Sequence, residues 1–216
     1  MLTPGVFATF LHYAFGQYSQ KKADNLSLFF ILGAEAMVVI TFLFISIIIW
    51  ALPLSIINFN NPILLWILVG IFVALSVAAF CFYFRKGKYS ELFISRNTAK
   101  KFIKRAQFVK KRSDAFVFGL VSGVPELPFT LPLYFISALS IMNISISSFT
   151  CSSIMILFAF VSIIPLFIVY TFFKTGHNLA DLIKFRTKNK TFFRFLISAL
   201  YLVVAILFIN LRGFIL

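Results

Sequence analysis

The stretch Gly119-Leu120-Val121-Ser122-Gly123-Val124-Pro125-Glu126-Leu127-Pro128 combines two glycines, two prolines and a glutamate. It lies inside a longer apolar run from Ala115 to Met142, which also contains Pro132. Proline removes a backbone donor and clashes with the preceding turn of a helix. In lipid, the carbonyl groups freed in this way must face protein or a wet cavity. We therefore predict a broken membrane helix whose interruption faces the inside of a helix bundle.

Five further apolar runs flank this stretch, and each approaches or exceeds the roughly 20 residues that a helix needs to cross a bilayer. They extend over Leu2 to Tyr18, Leu26 to Leu54, Pro62 to Phe84, Ser148 to Phe173 and Phe192 to Leu211. Of the 216 residues, 61% are hydrophobic and only 12% are charged, which excludes a water-soluble globule, a disordered chain and a fibrous repeat. The sequence predicts an all-α integral membrane protein with six transmembrane helices.

Basic residues alternate between the loops that connect these runs. The chain has 20 Lys and Arg against 6 Asp and Glu, a net charge of +14. Loops 20–25, 85–113 and 174–194 carry nearly all of the basic residues, whereas loops 55–61 and 143–147 carry none. Positive loops stay on the cytoplasmic side. Six spans fit this alternation with both termini outside, in the plasma membrane of a bacterium or archaeon or the inner membrane of an organelle.

The basic loop 85–113 also has a helical pattern, because apolar residues recur in it at steps of three and four. This pattern indicates an amphipathic helix on the inner membrane surface. Four of its basic residues are expected to contact anionic lipid headgroups: Lys100, Lys101, Lys104 and Arg105. A solvated linker that only sets topology is the alternative. Nucleic acid is not an expected partner, because the basic stretch is short and joined to the membrane at both ends.

Six spans divide into two halves of three, at residues 1–84 and 114–216, with the basic segment 85–113 as the linker. An odd number of spans in each half reverses the direction of the second half, as in the inverted repeats of many transporters. Three identities relate the halves: Pro4 with Pro125, Thr9 with Thr130, and Tyr13 with Tyr134. Since Pro4 and Gly5 match the interrupted stretch, we predict that the first and fourth helices are both broken and face each other.

Three ionisable residues lie within the predicted spans. Glu126 lies between Pro125 and Leu127, Glu35 lies well inside the second run, and His12 lies in the first. An ionised carboxylate deep in a bilayer costs roughly 2.5–3.5 kcal/mol, so each glutamate should face the bundle interior, pair with a donor or be protonated. The three could together bind a cation or carry a proton, with Glu126 in direct contact with the ion and with Glu35 and His12 in support. Alternatively, each glutamate accepts hydrogen bonds from backbone amides freed by the broken helices.

Two aspartates stand near the predicted inner ends of helices. Asp24 precedes the second run and Asp114 precedes the fourth. Carboxylates at such positions accept hydrogen bonds from backbone amides and interact favourably with the helix dipole. We expect both residues to cap helix starts.

The segments Leu2-Thr3-Pro4-Gly5-Val6-Phe7 and Gly119 to Pro128 resemble the CcdA/DsbD transmembrane family, within the broader LysE-type transporter superfamily. That resemblance implies six spans in a three-plus-three inverted repeat, with a Pro-Cys motif in the first and fourth helices. Gly5 and Glu126 stand where the family has its redox cysteines. The resemblance therefore implies a transporter scaffold in which Pro4, Gly5, Pro125, Pro128 and Glu126 surround the site.

Three functions remain open at this stage. The first is a transporter or exporter of a cation or small solute that works by alternating access. The second is a membrane subunit that scaffolds a larger complex or a cofactor-assembly machinery. The third, the least favoured, is a thiol–disulfide conduit that uses Cys81 and Cys151. The sequence shows no catalytic constellation or cofactor motif, so we expect neither enzymatic activity nor a cofactor. Partner proteins and further copies of the chain both remain open.

The predicted topology can be tested by cysteine-accessibility labelling. Cysteines introduced at Asn58 and Ser145 should react with an impermeant reagent from the outer face. A cysteine at Asn97 should react only from the inner face, because the basic loop stays inside. Labelling of position 58 from the inside would contradict the six-span arrangement.

Overall fold

The computed structural model describes residues 3–51, 62–82, 96–143, 148–177 and 179–213. Within these ranges almost every residue is helical and none belongs to a strand. The prediction of an all-α protein is confirmed. Loops 55–61 and 143–147 lie mostly or entirely outside the described residues, as do residues 85–95 of loop 85–113.

The described residues form nine α-helices and one short 3-10 turn. The helices of the first part are α1 (Thr3–Gln17), α2 (Gln20–Ala51), α3 (Pro62–Phe82) and α4 (Arg96–Gln107). The 3-10 turn Val124–Glu126 separates α5 (Arg112–Gly123) from α6 (Leu127–Asn143). The last three helices are α7 (Ser148–Lys174), α8 (Leu179–Lys188) and α9 (Lys190–Gly213).

Two of the described helices are long and apolar enough to cross a membrane. They cover Gln20–Ala51 and Ile63–Cys81, and α5 and α6 add a third span if the two count as one interrupted helix. Shorter apolar helical stretches cover Phe160–Lys174 and Thr191–Leu207. These helices lie in the second, third, fourth, fifth and sixth predicted spans, while the complete six-span arrangement stays a prediction.

The interruption predicted in the fourth segment is present. Helix α5 ends at Gly123, Pro125 occupies the 3-10 turn, and α6 begins at Leu127, with Pro128 in its first turn. A proline in the first turn of a helix costs little, because the amide that it lacks would have no intrahelical partner there. Helix α6 continues through Pro132. The break therefore occurs at Pro125 rather than at the later proline.

The prediction that the first helix is broken is wrong for the described residues. Helix α1 runs without interruption from Thr3 to Gln17 and places Pro4 and Gly5 in its first turn. There the ring of Pro4 is tolerated, since the first amides of a helix have no intrahelical acceptor. The hydroxyl of Thr9 donates to the carbonyl of Gly5 at 3.0 Å, within the helix.

The chain divides into two compact units that are each built from separate stretches of sequence. The first unit comprises Met1–Thr41, Ile94–Leu127 and Ser147–Thr187. The second unit comprises Phe42–Phe93, Pro128–Ile146 and Lys188–Leu216. The sequence-based division into halves at residues 1–84 and 114–216 stays a prediction about repeat structure.

A cluster of aromatic rings forms the core of the first unit. Phe7 and Phe10 of α1, Phe30 of α2 and Phe118 of α5 are all buried. The ring of Phe30 lies 4.8 Å from that of Phe7, 5.3 Å from that of Phe10 and 5.5 Å from that of Phe118, measured between centroids. Such pairs contribute about 0.5–1.5 kcal/mol each beyond the burial of their area. Phe30 thus joins three helices.

Beside this cluster, the backbones of α2 and α5 come into direct contact at two glycines. A Cβ on Gly33 would overlap the carbonyl oxygen of Phe116 and lie 2.8 Å from its carbonyl carbon. A Cβ on Gly119 would overlap the carbonyl oxygen of Phe30 in the same way. Small residues permit such close approach of two helices. Gly33 and Gly119 therefore set the distance between α2 and α5.

The amphipathic helix predicted in the basic loop is α4. Ala106 and the following Val109 are buried, and the Phe102 ring lies 6.0 Å from that of Phe118. The side chain of Gln107 donates to the Tyr13 hydroxyl at 3.0 Å. Part of the apolar face of α4 therefore packs against α1 and α5, while Lys100, Lys101, Lys104 and Arg105 are exposed. Their contact with lipid headgroups stays a prediction.

In the second unit, α3 packs along α9. The hydroxyl of Ser76 donates to the carbonyl of Ser198 at 2.9 Å, and the hydroxyl of Ser198 donates to the carbonyl of Ser76 at 3.0 Å. The two hydroxyl oxygens are 2.9 Å apart. The ring of Phe72 lies 6.2 Å from that of Tyr201 on the same pair of helices. Each helix thus presents the same serine contact to the other.

Alanine substitutions can test the contact between α2 and α5. Gly33→Ala and Gly119→Ala should each lower the free energy of unfolding by about 1–3 kcal/mol, because the added methyl group forces the two backbones apart. Gly70→Ala is the matched control, since that glycine is exposed on α3 with no atom within 4 Å of a built Cβ. It should be neutral or slightly stabilising. Thermal unfolding of the detergent-purified protein measures the difference, and equal effects at all three sites would contradict the contact.

Candidate functional site

Glu126 binds the beginning of α1. Its Oε1 accepts a hydrogen bond from the backbone N–H of Thr3 at 3.1 Å, and its Oε2 accepts one from the Thr3 hydroxyl at 3.0 Å. The same hydroxyl lies 3.4 Å from the carbonyl oxygen of Ser122. The interruption of the fourth segment therefore meets the start of the first. This confirms the part of the prediction that places the two segments next to each other.

The chemistry of this contact is that of a helix cap supplied by a distant residue. Thr3 stands in the first turn of α1, where the backbone amides have no intrahelical acceptor. A carboxylate at that end is also favoured by the helix dipole. Both oxygens of Glu126 thus have donors, as expected if the residue satisfies free amides. The amides belong to α1, however, and not to the broken segment itself.

Glu35 has a different environment on α2. The hydroxyl of Ser162, on α7, donates to its Oε2 at 2.6 Å. The other oxygen, Oε1, is buried and has no hydrogen-bond partner among the described residues. A buried polar atom without a partner costs roughly 1–3 kcal/mol. Glu35 therefore has one oxygen that can hold a proton or accept a bond from a bound species.

The serine that contacts Glu35 lies next to a proline position in α7. This helix continues through Pro165, which cannot donate a hydrogen bond to the carbonyl of Val161. Ser162 follows Val161 directly. The α7 backbone near the Glu35 contact thus has a carbonyl group that lacks its usual helical donor.

His12 does not join the two carboxylates. It lies nine positions after Thr3, about two and a half turns or roughly 13 Å along α1, and therefore on the opposite face of that helix. Its side chain is exposed, and its ring lies 5.5 Å from that of Tyr13. In the described part of the chain, no three His, Cys, Asp or Glu side chains are grouped so that they could hold a metal ion. The set of Glu126, Glu35 and His12 is therefore not assembled there.

The two aspartates expected to cap helices differ in outcome. Asp114 caps α5, since its Oδ2 accepts a hydrogen bond from the backbone N–H of Lys111 at 3.3 Å. Asp24 does not cap α2, which begins four residues earlier at Gln20. Its Oδ1 instead accepts a bond from the Tyr170 hydroxyl at 2.8 Å, which connects α2 to α7. Sequence reasoning missed this contact because the two residues are 146 positions apart.

The cysteines show no redox pair within the described side chains. Cys81 is a free, exposed thiol near the end of α3. The side chain of Cys151, on α7, lies outside the described part. The other residues of the expected site keep to the backbone roles given above: Pro4 and Gly5 begin α1, Pro125 interrupts the fourth segment, and Pro128 begins α6.

No protein-family model matches the chain, and it matches no curated protein and no solved structure.

Substitutions at Glu126 can separate its hydrogen bonds from its charge. Glu126→Ala should lower the free energy of unfolding by about 1–3 kcal/mol, because the N–H of Thr3 loses its acceptor and the Thr3 hydroxyl keeps only the longer contact with the Ser122 carbonyl. Glu126→Gln should have little effect, since an amide oxygen can accept from the N–H and the amide group can donate to the hydroxyl. Thr3→Val should add no further loss in the alanine background. Equal destabilisation by glutamine and alanine would show that the charge, rather than the hydrogen bonds, holds α1.

Proposed function

We propose that this protein is a small integral membrane transporter that moves a cation or small solute, and that Glu35 is the carboxylate at its site. The observation that carries the proposal is the buried Oε1 of Glu35, which has no hydrogen-bond partner among the described residues. A half-buried carboxylate with one bonded oxygen and one buried oxygen that lacks a donor suits a group that gains and loses a proton or cation.

The two glutamates have different proposed roles, a structural one for Glu126 and a functional one for Glu35. Both oxygens of Glu126 accept hydrogen bonds from Thr3, so its place in the bundle is accounted for. Glu35 accepts a hydrogen bond from the Ser162 hydroxyl through Oε2 alone. Ionisable residues within membrane spans are rare and generally mark ion pathways or proton relays. With no grouped metal ligands in the described residues, one carboxylate and one hydroxyl fit a proton or a single small cation better than a multidentate metal.

The position of Glu35 along α2 agrees with a midplane site. Nine residues separate it from Leu26, where the apolar part of the helix begins, which corresponds to about 13 Å. The hydrocarbon core is about 30 Å thick, so Glu35 would lie near its middle. Transporter sites commonly lie at this depth, between repeats that alternate their access to the two sides.

The serine pair of the second unit supports the six-span, three-plus-three arrangement. Ser76 and Ser198 exchange hydrogen bonds reciprocally and are 122 positions apart. Residues 4 and 125, which the sequence comparison of the halves equates, are 121 positions apart, so that spacing places the counterpart of Ser76 one residue before Ser198. In a two-fold arrangement, a residue on the axis contacts its own counterpart and the contact is mutual. The mutual hydrogen bonds of Ser76 and Ser198 favour an inverted repeat and, with it, a transporter scaffold like that of the CcdA/DsbD family.

A second candidate function is a membrane scaffold without transport. The observation that favours it is the use of Glu126 as a helix cap, since this residue occupies a position at which the family that the chain resembles has a reactive cysteine. The basic loops would then bind partner proteins. A stoichiometric partner that stays with the protein during purification would support this alternative.

Proteoliposomes that contain a pH-sensitive dye can test the transport role of Glu35. When Na⁺, K⁺, Mg²⁺ or Ca²⁺ is added outside, at least one of them should drive proton movement through the wild-type protein. Glu35→Gln should abolish this signal, because the amide keeps the shape of the side chain but cannot exchange a proton. Glu126→Gln is the matched control and should retain most of it.

Three results would contradict this assignment. Undiminished flux through a folded Glu35→Gln protein would remove the role of Glu35. Loss of flux only in Glu126→Gln would transfer the role to Glu126. No proton movement with any of the four cations, together with a fixed partner, would favour the scaffold.

A further inference from the structure

A basic cavity lies in the first unit, at the end that the charge pattern assigns to the inner face. Its volume is about 410 Å³. Five cationic side chains and one amide line it: Lys21, Lys22, Asn25, Lys110, Lys111 and Arg112. This basic cavity is separate from Lys100, Lys101, Lys104 and Arg105 of α4, which the sequence suggested as lipid contacts. It is also separate from Glu35 and Glu126.

Two stretches far apart in sequence form the basic cavity, and a hydrogen bond holds them next to each other. Lys21 and Lys22 belong to the first turn of α2, and Lys110 to Arg112 form the corner between α4 and α5. The Tyr18 hydroxyl donates to the carbonyl of Val109 at 3.2 Å, which fixes this corner beside the start of α2. Five positive charges are thereby held around one cavity.

These charges are not neutralised by neighbouring carboxylates. Among the described residues, none of the five cations forms an ion pair. Two acids lie near these cations along the chain. Asp24 accepts a hydrogen bond from the Tyr170 hydroxyl, and Asp114 accepts one from the backbone N–H of Lys111. Lys22 lies over the Tyr18 ring at 4.1 Å and Arg112 over the Phe29 ring at 5.6 Å, so the surrounding aromatic rings hold two of the cations in place. A cavity lined by one sign of charge attracts ligands of the opposite sign.

The apolar surface next to the basic cavity indicates what kind of anion it suits. Lys21, Asn25, Leu28 and Leu32 follow one another at steps of four, three and four, and therefore lie on one face of α2. Leu28 is 50% exposed and Leu32 is 54% exposed. The polar lining thus continues along α2 into an exposed apolar strip. A molecule with an anionic head and an apolar tail matches both parts.

We propose that the basic cavity binds the phosphate of an anionic phospholipid, with an acyl chain lying along Leu28 and Leu32. Lysine binds phosphate as a point charge, and the guanidinium of Arg112 supplies several donors in a plane. A free phosphate would satisfy the same cations but would leave the apolar strip unused. The site would retain a lipid of the inner leaflet at a fixed place on the protein, apart from the proposed transport carboxylate.

Native mass spectrometry of the full-length protein in mild detergent can measure this binding. The wild-type protein should bind long-chain phosphatidylglycerol at least about tenfold more tightly than phosphatidylcholine, which carries no net charge. Lys21→Gln, Lys110→Gln and Lys111→Gln, combined in one variant, should remove that preference. This variant spares Lys22 and Arg112, whose side chains also contact aromatic rings, so folding should be preserved; an unchanged melting temperature verifies it.

A second triple variant controls for general surface charge. Lys174→Gln, Lys184→Gln and Lys188→Gln remove the same number of charges from loop 174–194, which the charge pattern also assigns to the inner face. Because Lys174 lies over the Tyr170 ring at 5.7 Å, the melting temperature of this variant is measured as well. Phosphatidylglycerol affinity should stay within about twofold of the wild type, because these three lysines do not line the basic cavity. Equal losses in both triple variants would overturn the proposal, as would an unchanged preference in the first.

Two further ligands distinguish lipid from free anion. Short-chain phosphatidylglycerol should bind more weakly than the long-chain form, since it cannot cover Leu28 and Leu32. Inorganic phosphate at millimolar concentration should not displace the long-chain lipid. Full displacement by phosphate, or equal affinity for both chain lengths, would overturn the assignment to a lipid and identify a free-anion site. Greater loss on substituting Lys100, Lys101 and Lys104 would instead place lipid binding on α4.

Discussion

The backbone contact between α2 and α5 holds the first unit together. At Gly33 and Gly119 there is no room for a Cβ, so the two helices approach each other more closely than side chains would allow. This approach brings Phe30 and Phe118 to 5.5 Å and lets α1 complete the aromatic cluster. It also places Glu35 two residues from the contact on α2 and Glu126 just beyond the end of α5. The positions of both carboxylates therefore depend on the contact that α2 and α5 make at Gly33 and Gly119.

That arrangement gives two chemically identical side chains different partners. Glu126 follows Pro125 in a 3-10 turn and contacts the N-terminal end of α1, where the N–H and the hydroxyl of Thr3 are donors. Glu35 stands in the interior of a continuous helix, where the backbone amides are already bonded, and obtains a donor from Ser162. The second oxygen of Glu35 is left without a partner among the described residues. Different backbone surroundings, rather than different side chains, give Glu126 donors on both oxygens and leave Glu35 with the unbonded oxygen on which its proposed role rests.

Much of the fold could be predicted from local sequence, because apolar length and proline chemistry act locally. Helix α3 begins at Pro62 and α7 begins at Ser148, as the hydropathy pattern indicated. The interruption at Pro125 was also predictable. Pro4 misled the prediction because proline breaks a helix only in its interior, and the start of α1 is set by Glu126, which lies 123 positions away. Helix α8 was missed because its mixed composition is typical of a polar loop.

The candidate site was predictable only as a set of unusual residues. Glu35 and Glu126 stood out because carboxylates are costly within apolar runs. Their partners Ser162 and Thr3 did not, since hydroxyl residues are common in membrane helices and the pairing is long-range. His12 was grouped with the glutamates because it lies in an apolar run, but it stands on the face of α1 opposite to Thr3 and is exposed. Hydrophobic carbodiimide offers the most direct test of the proposed division, because it modifies protonated carboxyl groups in apolar surroundings. After labelling of the membrane-embedded protein and peptide mass spectrometry, we expect an adduct on Glu35 and none on Glu126, as the proposed roles require. An adduct on Glu126 with Glu35 unmodified would contradict it.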